Sequence, residues 1–494
     1  MAALAEMFFM TSRPTRGGWL TNAGLWVGGI LALASALMLR NPLFLPWRPW
    51  ATLLLWSATL VLPVFFLRRG WRPRCLGDAA LTVLWLCALA ITVWQENTFF
   101  WHKQQVLALT DDADARRLGA HFVIAYSDPQ TIRPLVENGL IGGLFLSAQN
   151  VKGRSVAAIH AEMTELQALR RRVGLPPLII SADQEGGIVS RMSPPLSAMP
   201  SLAEVIADAA PEEIELLAFA YGEKHGRELA SIGVNVNFAP LADLSPVDPQ
   251  PRFDFRSQIS RRAIDADPGR VSPAVIGYAH GLEAVGVRAT LKHFPGLGRV
   301  TGDTHIAPAK LTASQGELER SDWIPFHDGL RATQSLLMVG HATLSAIDPK
   351  RPASRSPKVI RQIVRQYWQH DGLLITDDLT MGAVVRQGLC GAGVDALNAG
   401  IDLLLVSYDT EQYYKIFNCL LQAEKNGQLE RSLLDESQRR LKHLHGSLVR
   451  QRFLSLSGIA CHLQKTESST DSGFGEHQNK KADLKRSAFF ATPL

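Results

Sequence analysis

The chain has 494 residues, more than one average domain needs, and its 46 % hydrophobic and 20 % charged content is ordinary for a globular protein, so a large unit with appendages is expected. A formal net charge of +5 is small for this length and comes partly from arginines beside apolar segments, which argues for membrane contact and against a nucleic-acid surface. The cysteines (Cys75, Cys87, Cys390, Cys419 and Cys461) are odd in number and form no CxxC pair, so neither a disulfide framework nor a zinc site follows and the redox compartment stays open.

Apolar residues crowd the first hundred positions in three stretches, Trp19–Leu39, Trp50–Leu67 and Ala79–Trp94. A helix crossing the hydrocarbon core needs about 20 predominantly apolar residues. The first two stretches approach that length, and the third reaches it only with Leu76–Asp78 included, which sets the expected spans at about 19–39, 50–67 and 76–94. Core helices of a soluble domain are the competing reading. Adjacency of the segments and tryptophans near their ends favour the bilayer, and the succession of segments fits a cleavable signal peptide poorly. Arg13 and Arg16 precede the first segment and Arg68, Arg69, Arg72 and Arg74 separate the second from the third, against Arg40 and Arg48 between the first and second. The heavier flanks are expected in the cytoplasm, which puts everything after Trp94 outside it if all three segments cross, and inside it if the third does not.

From about Gly119 the pattern changes to short apolar runs separated by longer mixed segments. The runs are His121–Ser127, Gly143–Ser147, Leu178–Ala182, Val234–Pro240, Arg288–His293, Ser335–His341, Gly372–Asp377 and Ile401–Ser407. Runs of this length rich in β-branched residues suit strands buried on both faces, as in a parallel sheet. Helix-length stretches such as Leu202–Ser231 and Pro357–Gln369 lie between most of them. Eight such units predict an α/β fold of the TIM (β/α)8 type; a doubly wound open sheet is the competitor, weakened because no GxGxxG turn follows the first strand. Asp183-Gln184-Glu185, Lys292-His293, His341 and Asp377-Asp378 fall at the carboxyl ends of four strands, which in a barrel share the rim where active sites are built. A polar, sugar-sized pocket is the expectation.

The most informative stretch is Lys292-His293-Phe294-Pro295-Gly296-Leu297-Gly298, followed by Asp303-Thr304-His305. It resembles the KHFPGxG…D-S/T-H signature of glycoside hydrolase family 3, in its single-domain bacterial β-N-acetylhexosaminidase branch. Asp183-Gln184-Glu185-Gly186-Gly187 with Val189 and Arg191, Asn237-Phe238-Ala239-Pro240 with Asp243, Pro352-Ala353-Ser354 and Thr376-Asp377-Asp378-Leu379-Thr380-Met381 resemble further segments of that family. Several ordered motifs at compatible spacing, covering about Leu118 to His445, are more specific than any one alone.

The resemblance implies retaining exo-hydrolysis of a terminal N-acetylglucosamine from peptidoglycan-type or related amino sugars, through a covalent intermediate on Asp377. The proton donor it implies is His305, oriented by Asp303. A histidine titrates near neutrality and adds no negative charge beside the nucleophile. Asp378 is expected to be structural, since two adjacent carboxylates facing one pocket would raise each other's pKa. Asp183, Arg191, Arg262, Lys292 and His293 are the implied substrate-binding residues. Arg262 carries a departure, with Ala263-Ile264-Asp265 in place of Ser-Phe-Gly and Arg261 beside it; Leu297 carries another, standing where many members of this branch have a histidine. No metal and no cofactor are expected. The expected partners are a carbohydrate substrate and a lipid bilayer, with no nucleic acid, and the oligomeric state is open.

The domain reading is a membrane anchor over 1–103, the barrel over 104–450 and a polar tail over 451–494, disordered above all at Thr466–Ala482. The tail is too short and too polar for a second globular domain, so the acid must come from the barrel. A multi-pass protein of the bacterial inner membrane with an external, periplasmic catalytic domain follows. The alternatives are a β-glucosidase or glycoside phosphorylase on the same barrel, or a sugar-binding membrane protein without catalysis.

Overall fold

A computed structural model describes residues 16–68, 76–246 and 256–447. Arg13, Arg69, Arg72, Arg74, Cys75, Cys461 and the tail from Gln451 lie outside the described residues. Three helices open the chain: α1 (Arg16–Met38), α2 (Arg48–Arg68) and α3 (Leu76–Leu107), with a 3-10 turn at Pro42–Trp47 joining the first two. Asn41 caps that turn, its side chain accepting from the Leu43 amide, and Pro42 starts it. At 1.5 Å per residue the three helices are about 34, 31 and 48 Å long.

Ala36, Leu39, Ala51, Leu55 and Ala88 form a small core among these helices. Gly29 allows α1 to approach α3, since a Cβ there would lie 2.6 Å from Leu84 Cδ2. The outward faces are apolar: Leu54 is 70 % and Trp94 66 % exposed, with Val27, Ile30, Leu31 and Leu86 also more than half exposed. Among the described residues one helix, Ala79–Leu107, is long and apolar enough to cross a membrane by itself, and Ala23–Met38 is a shorter apolar helix. The segment expected to be the shortest span is thus part of the longest helix, which runs through position 103 without a break.

Eight parallel strands follow: β1 (Phe122–Ala125), β2 (Gly143–Leu146), β3 (Ile179–Ala182), β4 (Val236–Asn237), β5 (Thr290–Phe294), β6 (Leu336–Val339), β7 (Leu374–Thr376) and β8 (Leu404–Val406). Pairing runs in chain order, from Val123 opposite Gly143 through Leu374 opposite Leu337. Isolated parallel bridges join the β4 and β5 regions (Val236 with Arg288, Leu241 with Lys292) and β7 to the residue before β8 (Ile375 with Leu403), and β8 pairs with β1, so the barrel closes. Seven of the eight runs read as strands contain one whole, and β5 begins inside Arg288–His293 and ends one residue past it.

Between the strands lie α4 (Pro129–Glu137), α5 (Val156–Arg172), α6 (Pro211–Ser231), α7 (Pro268–Ala284) and α8 (Ile324–Ala332), then a π-helical segment Lys358–Tyr367, α9 (Leu389–Ala399) and, after β8, α10 (Gln412–Lys425). Strand residues are buried because helices cover one face and barrel packing the other. Cys390 of α9 and Cys419 of α10 are joined by a disulfide, a pairing that sequence spacing alone did not indicate.

The N-terminal helices and the barrel belong to one compact unit ending at His445. Arg48 grips Asp409 with both terminal guanidinium nitrogens and reaches Glu411 at 2.7 Å, while Arg40 pairs with Glu96 and Glu411. Phe99 of α3 meets Tyr414 of α10 edge to face, with ring centroids 6.2 Å apart. Gln412 donates to the Arg40 carbonyl and Asn418 to that of His102. Arg40 and Arg48, counted in sequence as topological charges, are therefore docking residues.

Candidate active site

The carboxyl ends of the strands enclose a cavity of about 430 Å3, within the usual range for a small-molecule site of about 300–1,000 Å3. Asp183, Arg191, Arg262, Lys292, His293, His305 and Asp377, all expected from sequence, line it. Asp303 stands behind His305, out of the lining. A register shift in β5 between Leu291 and Phe294 breaks the strand's alternation, and both Lys292 and His293 face the cavity.

Asp377 follows β7, its amide bonded to the Val339 carbonyl of β6. Burial alone would raise its pKa, but the imidazoles of His293, His341 and His305 and the Asp378 amide outweigh burial and hold the carboxyl below its ordinary value. Asp378 is fully engaged elsewhere. It accepts from the amide and hydroxyl of Thr380, from Ser407 Oγ at 2.7 Å and from the Tyr408 amide at 2.6 Å. Those bonds tie the Asp377-Asp378 segment to the end of β8.

His305 and Asp303 sit on the loop after β5. The imidazole Nδ1–H donates to Asp303 Oδ1 at 2.9 Å, leaving Nε2 as the nitrogen available to the cavity. Asp303 also accepts from the amides of His305 and Arg256. Burial opposes its ionisation, yet His305 and the two amides bring its pKa down to about 2. The loop is anchored from the other side, where the amides of Gly382 and Ala383 donate to the carbonyls of His305 and Thr304.

Lys292 and Arg262 line the cavity with their charges already matched. Glu185 receives Arg262 Nε at 3.0 Å and its Nη2 in a two-pronged pair, and Lys292 Nζ at 2.6 Å; Lys292 also reaches Asp183. Burial would raise the Glu185 carboxyl, but these cations hold it at about 2. Asp243 plays the same part for His293, accepting from its backbone amide and from Nδ1, and it also takes the Leu297 amide at 2.7 Å. Leu297 itself is buried in the hydrophobic core rather than in the cavity. His341 lies below Asp378. Its Nε2 donates to the Asp378 carbonyl, so Nδ1 accepts from Ser354, which accounts for the Pro352-Ala353-Ser354 loop.

Glu185, Asp243, Arg256, Ser407 and Tyr408 were not expected as site residues. Glu185 was detectable: in an extended hairpin, positions 183 and 185 share a face. Arg256 and Tyr408 carried no sequence signal; the arginine lies 5.4 Å from the Tyr408 ring centroid. Among the described residues no group of three His, Cys, Asp or Glu could hold a metal ion.

The sequence model of the Glycosyl hydrolase family 3 N terminal domain matches residues 114–444. A β-hexosaminidase of Nitrosomonas eutropha is 30 % identical over 341 residues, covering 68 % of this chain and 91 % of that protein. One from Stenotrophomonas maltophilia is 33 % identical over 281 residues, covering 56 % and 79 %. Among solved structures, a family 3 β-N-acetylglucosaminidase from Paenibacillus superposes with a TM-score of 0.62 at 26 % identity, covering 76 % of this chain and 68 % of that one. The β-N-acetylhexosaminidase of Beutenbergia cavernae gives 0.61 at 26 %, covering 68 % and 100 %. With the barrel, the cavity and these matches together, the chain belongs to glycosyl hydrolase family 3, in its β-N-acetylhexosaminidase branch, and is a hydrolase of O-glycosyl bonds.

Proposed function

We propose that this hydrolase is a membrane-anchored, retaining exo-β-N-acetylhexosaminidase that releases terminal N-acetylglucosamine from peptidoglycan-type or related amino-sugar glycans. The observation that carries the reading is the presence of Asp377 and Nε2 of His305 on one cavity wall set, the first kept ionised and the second oriented by Asp303. In the first step the Asp377 carboxylate attacks the anomeric carbon while His305 Nε2–H gives its proton to the leaving oxygen, breaking the glycosidic bond. In the second, His305 takes a proton from water, whose oxygen displaces Asp377 and frees the sugar. Asp183 accepts from sugar hydroxyls, and His293 and Arg191 add polar contacts to the ring and to the mouth.

Anchoring is supported by the exposed apolar faces of α1, α2 and α3. Arg16 starts α1 and Arg68 ends α2, each at the helix end remote from the docking pairs, with Arg13, Arg69, Arg72 and Arg74 flanking them in sequence. That asymmetry, with the Cys390–Cys419 disulfide, supports a barrel on the external face of the bacterial inner membrane.

Asp377→Ala is expected to lose at least about 10³-fold in kcat on an aryl N-acetyl-β-glucosaminide, since a covalent route disappears. A fluorinated N-acetylglucosaminide should label the wild type at Asp377 alone. Near-normal turnover by the variant, or labelling elsewhere, overturns the assignment. Phosphorolysis is the second reading, favoured by Arg191 and Arg256 on the cavity wall; faster glycoside cleavage in phosphate, with sugar 1-phosphate as product, would select it.

A further inference from the structure

The turn between the first two helices is part of the catalytic pocket. Leu43 lines the same cavity as Asp377, His305 and Tyr408, while the preceding residue, Pro42, lines a second cavity of about 300 Å3. That second cavity lies between the N-terminal helices and the barrel, with Trp94, Phe99 and Leu389 as apolar walls and Arg40 and Lys415 among its polar ones. One turn of chain therefore separates a sugar-sized polar site from an amphiphilic site beside an exposed, membrane-type tryptophan. Two of the residues that line the catalytic cavity, Leu43 and Tyr408, are exposed apolar side chains, at 37 % and 38 %.

The 3-10 turn holds 6 residues, so its far end lies within about 12 Å of its start along the axis. Leu37 and Met38 at the end of α1, Trp47 just before α2 and Trp50 in its first turn are at least half exposed, so the apolar surface of the helices continues to the turn whose Leu43 lines the catalytic cavity. A freely diffusing fragment gains nothing from an apolar lip there. A glycan whose aglycone carries a lipid does, because its linker can lie against Leu43 with the lipid-proximal part toward the cavity that Pro42 and Trp94 line.

We infer that the substrate is a membrane-tethered glycoconjugate: a terminal N-acetyl-β-hexosaminide whose leaving group is attached to a bilayer lipid, with the Pro42–Trp47 turn as the aglycone wall. This rests on the activity and anchoring proposed above and names the substrate class of that site. Leu43 is a specificity-determining residue in this arrangement, touching the leaving-group side and not the anomeric carbon.

The test uses the full-length protein in liposomes of phosphatidylethanolamine and phosphatidylglycerol. Two substrates are compared, a dialkylglycerol N-acetyl-β-glucosaminide embedded in the same bilayer and a soluble aryl N-acetyl-β-glucosaminide. The wild type is expected to favour the embedded substrate in kcat/KM, counted per substrate at the membrane surface, by at least about tenfold, and Leu43→Asp to reduce that preference at least about fivefold. Leu43→Met, which keeps the apolar lip, should retain it. A preference near unity in the wild type, or one unchanged in Leu43→Asp, overturns the inference while leaving the hydrolase assignment standing. Cleavage of neither substrate by the wild type sinks both.

Discussion

At the scale of single residues, the most heavily committed group is Glu185, which neutralises two buried cations at once. Removing one member of a buried ionic cluster leaves the others uncompensated, a loss of about 3 kcal/mol or more. Glu185→Gln is therefore expected to lower stability by about 3 kcal/mol at neutral pH in denaturant titrations. The pH dependence has a definite sign. An unfolded glutamate titrates near 4.3, whereas the folded group sits at about 2. The stabilisation is complete above the unfolded value and disappears as pH falls through the folded one, so the variant should show a shallower loss between about pH 4 and 2. Equal stability of variant and wild type at neutral pH would refute the role. Residue types at strand ends were legible in sequence because ionisable side chains there have no packing use. Their pairing was not, since Glu185, Arg262 and Lys292 come from positions far apart in the chain and only the closed barrel brings them within bonding distance.

At the scale of elements, the hydrophobic runs located all eight strands because a strand buried on both faces cannot hide its composition. The third helix runs past its apolar stretch for the opposite reason. Gln95, Glu96 and Asn97 end the apolar pattern, yet α3 continues to Leu107 because its last turns gain a partner in α10. Docking of the helical hairpin reaches the chemistry through a short relay. Arg48 holds Asp409, whose amide donates to Thr380 Oγ1 at 3.3 Å; that hydroxyl donates to Asp378, and the Asp378 amide donates to Asp377. With Asp377 as the proposed nucleophile, this relay gives Arg48 the part of a positioning residue. Arg48→Met should lower kcat about three- to tenfold with KM within about twofold, as expected when an interaction acts on the transition state rather than on ground-state binding. Arg48→Lys should restore part of it. A variant with unchanged kcat and only a lower melting temperature would reduce Arg48 to a structural tie.

At the scale of the whole molecule, the proposed side of the membrane draws on the arrangement of the helices as well as on arginine counting. Arg40 and Arg48 are neutralised by Glu96, Asp409 and Glu411, so the barrel-side turn carries little net positive charge into the comparison with the opposite ends. The first helix must then run toward the barrel, the second away from it and the third back again, since the turn at Pro42–Trp47 and the last turns of α3 both contact the barrel. Under the anchoring proposed above, three crossings that start from basic flanks would put the catalytic domain outside the cytoplasm. Alkaline phosphatase fused after Leu494 of the full chain should be active in intact cells, a green fluorescent protein fusion at the same point should be dark, and Cys390 and Cys419 should resist alkylation until a reductant is added. The reverse pattern, a bright fluorescent fusion with freely alkylated thiols, would place the barrel in the cytoplasm. Membrane-tethered glycans would then have to be presented on the inner leaflet, at the same turn, with Leu43 still between the sugar and the lipid.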